Sequence, residues 1–239
     1  MSYSDDNDID EPTRNAYESA SAEDKEMLRE NWEQHKKREA EADAEKTKDK
    51  IRAKTDDQYH AVTFDLEAVL TTPHAGDAQI YYKQKLAVYN FTIYDAATAW
   101  SVLPLDETEG GRGANEIATN VLHYLRNLPT SVHHFSSFSD TCGGQNRNQF
   151  MAGAMLYAVQ SLTNLETIDL KYMESGHSCL EVDSMHATID VSRKHQKVYT
   201  TREWEILIKG ARKRPGPYDV KIMHHKDFLN IKEVTGMII

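Results

Sequence analysis

Cysteine is nearly absent: the chain of 239 residues has two, Cys142 and Cys179. Two thiols cannot build a disulfide framework, which excludes a small stapled secreted scaffold. No apolar run approaches the roughly 18 residues of a membrane-spanning helix, and no secretory leader pattern is recognisable. A nuclear or cytoplasmic protein, not secreted and without a membrane partner, is expected. Hydrophobic residues are also scarce, at 39%, below the usual share of a compact domain. The shortage is local. Residues 1–60 carry 18 acidic against 11 basic side chains, −7 of the net −10, whereas residues 61–239 carry 20 against 17. The acidity belongs to the N-terminal quarter, and the rest is close to neutral.

Residues 1–20 are poor in apolar side chains and rich in Asp, Asn and Ser, the composition of a disordered acidic tail. From Ser21 to Lys54 there is no Gly or Pro, and Glu, Lys, Ala and Arg dominate. These are strong helix formers, so residues 21–57 read as a charged helical extension. Its apolar positions, Met27, Leu28, Trp32 and Ile51, are too sparse for a heptad seam. The expectation is a long exposed helix, with Glu39 and Lys46 on its solvated face, acting as a spacer or a means of self-association.

A globular domain is expected over residues 58–230, followed by a C-terminal tail, 231–239. Residues 61–70, 85–94 and 100–105 are rich in β-branched and aromatic side chains and read as a three-stranded meander. Ile117, Val121, Leu122 and Leu125 have helical spacing before Pro129. Strands follow at 132–138 and 166–173, with a helix over 148–162 between them. Further helices are expected at 180–195 and 204–212, and a late strand at 218–223. The order β-β-β-α-β-α-β-α implies a mixed five-stranded sheet with flanking helices. It is the element order of the ribonuclease H-like fold.

Three acids stand where chemistry could use them. Asp65 interrupts an apolar strand, where an unpartnered carboxylate is costly. Glu67, two residues on, shares its strand face. Asp140 ends the strand 132–138, and ligands of open α/β sheets gather outside the carboxyl ends of strands. Gly143 and Gly144 then let the backbone turn and come close to a ligand. Ser139, Gln145, Asn146 and Arg147 bring polar groups to the same corner and are candidate substrate-binding residues. Asp183 opens the helix 180–195, and His186 shares its face three residues later. In a sheet of this order Asp65, Asp140 and Asp183 converge. Hard carboxylate ligands, with His186 as an accessory, suit Mg²⁺ or Mn²⁺, and such ions support phosphodiester chemistry. A zinc site from Cys142, His177, Cys179 and His186 matches no compact spacing. Residues 193–226 hold ten Lys or Arg against three acids, a stretch suited to a nucleic-acid backbone or simply to water.

Five segments occur in one order: Thr63-Phe64-Asp65-Leu66-Glu67; Tyr81-Tyr82-Lys83 with Val88-Tyr89-Asn90-Phe91; Asp106-Glu107 with Gly111-Arg112-Gly113; Ser139-Asp140-Thr141-Cys142-Gly143-Gly144-Gln145-Asn146-Arg147-Asn148; and Ser175-Gly176-His177 with Asp183. Over about residues 15–230 the chain resembles an uncharacterised family of transposon-associated domains. Members of that family look like DDE-type, ribonuclease H-like transposase cores. The resemblance implies a transposable-element origin, a divalent-metal nuclease or strand-transfer ancestry, and DNA as the nucleic-acid partner. Longer members carry a Cys-rich, metal-binding region before the core, absent from this sequence, and Leu105 stands where relatives show Trp. These departures imply a trimmed copy. They keep open a catalytically inactive remnant that binds nucleic acid or protein.

Overall fold

A computed structural model describes residues 21–75, 85–96, 100–106, 110–174, 180–214 and 216–236, with 100–106 described by backbone alone. The tail expected over residues 1–20, His177, Cys179 and the Tyr81-Tyr82-Lys83 segment lie outside the described residues.

The charged segment forms one helix, α1 (Ala22–Thr55), capped by the Ser21 hydroxyl, which accepts from the Asp24 amide. Then come β1 (Tyr59–Leu66), β2 (Leu70–Thr72), β3 (Leu86–Asp95), β4 (Trp100–Asp106), α2 (Ala114–Leu125), β5 (His134–Ser139), α3 (Gln149–Ser161), β6 (Thr167–Tyr172), α4 (Glu181–Arg193), α5 (Thr201–Ala211), β7 (Asp219–Val220) and α6 (Ile231–Thr235). The strand expected over 61–70 is broken. It stops at Leu66, and the chain resumes as β2, still beside β3.

Five strands form a mixed sheet in the order β6-β5-β1-β3-β4, extended by β7 beside β4. β1 runs antiparallel to β3, and β3 to β4. β1 and β5 are parallel, as are β5 and β6. Thr63 stands opposite Phe138, so Asp65 and Asp140 each lie two residues beyond the same paired position. β1 is central, and its two faces differ. Val62 and Phe64 join Phe91, Ile93 and Phe135 in a core closed by α2 and α3, through Val121, Leu122, Leu125, Met151 and Ala154. Ala61 packs on Ala53 of α1. Strand alternation therefore turns Ala61, Thr63 and Asp65 toward the opposite face, where α1 and α4 lie. The tail expected from residue 231 begins as α6, whose Ile231 is fully buried in the α2–α3 core. An apolar anchor there outweighs the polar residues around it.

α1 is not a free-standing spacer. Asp49 and Ala53 are buried. The Asp49 carboxylate accepts from Ser136 Oγ at 2.7 Å and meets Lys171 Nζ at 2.6 Å. Glu45 shares Lys171 at 2.9 Å. Lys46, expected on the solvated face, is 12% exposed, and Glu39 is 20%. The helix docks through charge and hydrogen bonds rather than through an apolar stripe, which is why its periodicity gave no sign of a buried face. Met27, Leu28, Trp32 and Ile51 are exposed.

Candidate metal centre

The corner where β1 and β5 end and α4 begins gathers the acids. Asp65 projects from the last turn of the pleat in β1, paired across to Thr92 of β3. α4 supplies the other groups. Its first turn is closed by Asp183 itself, whose Oδ2 accepts from the Leu180 amide at 2.9 Å. Val182, Met185 and Ile189 are fully buried and press the helix onto the sheet. Asp183 and His186 are thereby presented toward β1. One ligand atom each from Asp65, Asp183 and His186 lies within 4.8 Å of the others. Two acids and an imidazole, unrelated in sequence position, are drawn into the span of a single ion.

The electrostatics agree with a crowded anionic site. Burial above all, aided by the nearby charges of Asp140 and Asp183 and opposed by a hydrogen bond from the Leu66 backbone, pushes the Asp65 carboxyl up to about 7. Burial raises Asp183 as well, opposed by the Leu180 amide and by Lys46 of α1. Burial lowers His186 to about 4, so the imidazole is neutral near pH 7 and keeps a lone pair for a metal. Its Nε2 lies 3.0 Å from Thr92 Oγ1, a partner of the kind that orients metal-binding histidines. Like charges held together without a cation are costly. A divalent ion would remove that cost, and the donor set, carboxylates with one imidazole, fits Mg²⁺ or more readily Mn²⁺.

Asp140 stands beside this group rather than in it: it is not among the three mutually close ligands, though its charge reaches Asp65. Its Oδ1 accepts from the Cys142 amide at 3.1 Å and from Asn146 Nδ2. Asn146 and Ser139 were expected to position substrate. Both are 2% exposed, so neither offers its side chain to a bound molecule. Asn146 holds Asp140 in place, and the Ser139 hydroxyl donates to the Asp140 carbonyl at 3.2 Å. Gln145 is half-buried and Arg147 exposed. The Arg147 guanidinium lies 5.6 Å from the centre of the Tyr172 ring, and solvent reaches both Gln145 and Arg147. The turn does not need its glycines for backbone reasons, since neither Gly143 nor Gly144 has a positive φ. Nothing lies within 4 Å of where a Gly144 Cβ would stand; the open surface permits close approach.

Glu67, on the same side of the chain, is 5% exposed. It accepts from Asn90 Nδ2 at 2.5 Å, and burial raises it to about 7. Asp190 and Arg193 of α4 act on it, so a polar seam continues from the ligand group beneath α4. Thr92, Asn90 and the lysines of α1 had no signal in the sequence, because only the fold brings them to the acids. Glu181, two residues before Asp183, pairs with Lys50 at 2.9 Å.

Of the basic stretch, Lys194, Arg202, Lys209, Lys213, Arg214 and Lys221 are exposed. Arg193 instead pairs with Asp190 at 2.5 Å, and Arg212 donates to the Gly216 carbonyl at 2.7 Å. No helix among the described residues is long and apolar enough to cross a membrane. No family model, curated protein or solved structure matches the chain.

Proposed function

We propose that the chain is a ribonuclease H-like domain of transposase type. Asp65, Asp183 and His186 hold Mg²⁺ or Mn²⁺, and the site cleaves or transfers a phosphodiester of nucleic acid, most naturally DNA. The observation that carries this reading is the meeting of Asp65, Asp183 and His186 within 4.8 Å at the carboxyl end of the central strand. The sheet order β6-β5-β1-β3-β4, with two antiparallel pairings on one side of β1 and two parallel pairings on the other, supports it. So does the resemblance of the Asp140 loop to transposon-associated domains.

A divalent ion at such a site polarises a phosphoryl oxygen and lowers the pKa of bound water. The protein's part is to bind and orient. Asp65 and Asp183 supply anionic oxygens, and neutral His186 an uncharged donor held by Thr92. Asp140, fixed by Asn146 and the Cys142 amide, stands close enough for its charge to act on Asp65. There it serves as a further ligand or as the acceptor of a proton from the attacking hydroxyl or water. Arg147 and Gln145 stand at the rim for a phosphate.

The test is titration of the protein with Mn²⁺ by calorimetry, together with cleavage of single- and double-stranded DNA. Wild type is expected to bind Mn²⁺ and cleave. Asp183→Asn should lose binding, and Asp140→Asn should lose cleavage by at least about 100-fold. Activity and Mn²⁺ binding that survive all such changes would refute the mechanism. The exposed cations after residue 193 favour a second reading, a non-catalytic nucleic-acid-binding remnant. Salt-sensitive DNA binding, with no Mn²⁺ uptake at millimolar concentration, selects it.

A further inference from the structure

α1 touches the ligand group from a direction that the charged sequence did not announce. Lys50 Nζ meets Glu181 Oε1 at 2.9 Å, and Glu181 is the first residue of α4. Asp183 lies two residues later and His186 five. On the other side, Arg38 and His35 both reach Glu174 Oε1 at 3.0 Å, just past the end of β6. Ala42 packs against the buried cluster of Phe138, Met173, Leu180 and Val182, which seats the first turn of α4 on the sheet. The Asp183 carboxylate spends Oδ2 on the Leu180 amide, so its direction is tied to that first turn. Asp65, by contrast, comes from a strand held on both sides by the sheet. The shared ion therefore depends on the placement of α4 relative to β1, and α1 spans the two.

We propose that α1 is a working part of the metal centre, its Lys50–Glu181 ion pair being the clamp that sets the start of α4 so that Asp183 and His186 meet Asp65. Lys50 and Glu181 are positioning residues in this role, not ligands. The inference rests on the metal-binding reading above. The Arg38 and His35 contacts with Glu174 fasten α1 to the end of β6 as well.

Lys50→Met separates this role from the alternatives by sign. Removing a positive charge near an anionic site strengthens cation binding through the general field. Loosening the ligand geometry weakens it, typically by 10- to 100-fold for partners that orient ligands. The ion pair is partly exposed, 34% and 21% for the two side chains, so its loss has little effect on global stability. Calorimetric Mn²⁺ titration of the full chain is the main measurement, with urea denaturation and amide exchange at residues 180–184 alongside. Lys50→Met is expected to bind Mn²⁺ about tenfold more weakly, to exchange faster at those amides, and to keep its denaturation midpoint. Lys50→Glu combined with Glu181→Lys should recover most of the affinity, and Lys50→Arg nearly all of it. Mn²⁺ affinity unchanged or increased in Lys50→Met overturns the inference while leaving the metal site intact. Wild type that takes up no Mn²⁺ removes the metal site and the inference with it. In that event faster exchange in Lys50→Met would show only a structural clamp.

Discussion

Each end of the central strand holds an acid and a histidine, and the two ends behave oppositely. At the start of β1, His60 Nε2 lies 2.8 Å from the Tyr124 hydroxyl and 3.7 Å from Asp95 Oδ2. One acid faces one imidazole and one phenol, and burial lowers the His60 pKa while Asp95 opposes it. The group lines a cavity of about 810 Å³, yet its polar atoms answer one another. Beyond the other end of β1, two acids share one imidazole with a third acid beside them, and the negative charges raise Asp65 together with burial. The difference teaches where to look for function. An imidazole whose ring nitrogen is met by a phenol beside a single acid is architecture; two acids crowded on one imidazole are a candidate place for a cation.

The sharpest way to break that contrast is to remove one member from each end. Asp65→Asn should weaken Mn²⁺ binding by at least about 100-fold while making the metal-free protein more stable at pH 8, because it relieves like-charge crowding. His60→Ala should cost about 2–3 kcal/mol in urea denaturation and leave Mn²⁺ affinity within about twofold. If His60→Ala abolished metal binding with the fold retained, the two ends would not be independent.

The next effect is in pH. Folded Asp65 and Glu67 both titrate near 7, well above their ordinary values. An acid with a raised folded pKa binds more protons folded than unfolded, so raising the pH works against the folded state. The contribution of these two acids to metal-free stability should therefore fall between about pH 4 and 7 and level off above, by roughly 8 kcal/mol at the most for the two together, opposed over the same range by His186, whose lowered pKa favours the folded state as the pH rises. Denaturation midpoints measured across that range check this. Asp65→Asn should flatten part of the slope, and saturating Mn²⁺ should reduce it. A pH slope that Asp65→Asn leaves unchanged would contradict the burial of Asp65. The smallest effect belongs to the start of β1. Tyr124→Phe removes one hydrogen bond to His60 and should cost about 1 kcal/mol, with no change in Mn²⁺ affinity.

Much of this was legible along the chain. The strand at 85–94 and the helices at 148–162 and 180–195 announced themselves because apolar periodicity is imposed by the sheet and helix surfaces they bury. Asp65 stood out for the same reason in reverse, as a charge where the strand asked for an apolar group, and Asp140 by its place at a strand end before two glycines. The break after Leu66 was not legible, since Ala68, Val69 and Leu70 continue a strand-like composition while the chain bends. The docking of α1 was hidden because its buried positions are Asp49 and Ala53, and the burial of Asp49 is compensated by Ser136 and Lys171, the latter shared with Glu45. The roles of Ser139 and Asn146 were misread because a polar side chain looks the same in sequence whether it faces water or another side chain.

By itself the sequence determined which segments become strands and helices, and placed an acid at the end of β1, after β5 and at the start of α4. Local propensity and patterning suffice for that, being set by near neighbours. Only the tertiary structure decided that Asp65, Asp183 and His186 come within the reach of one ion while Asp140 stands aside, and that a highly charged helix is seated across the domain. Those outcomes depend on strand register, on the seating of α4 and on charge pairs between distant segments, and short-range sequence signals encode none of them.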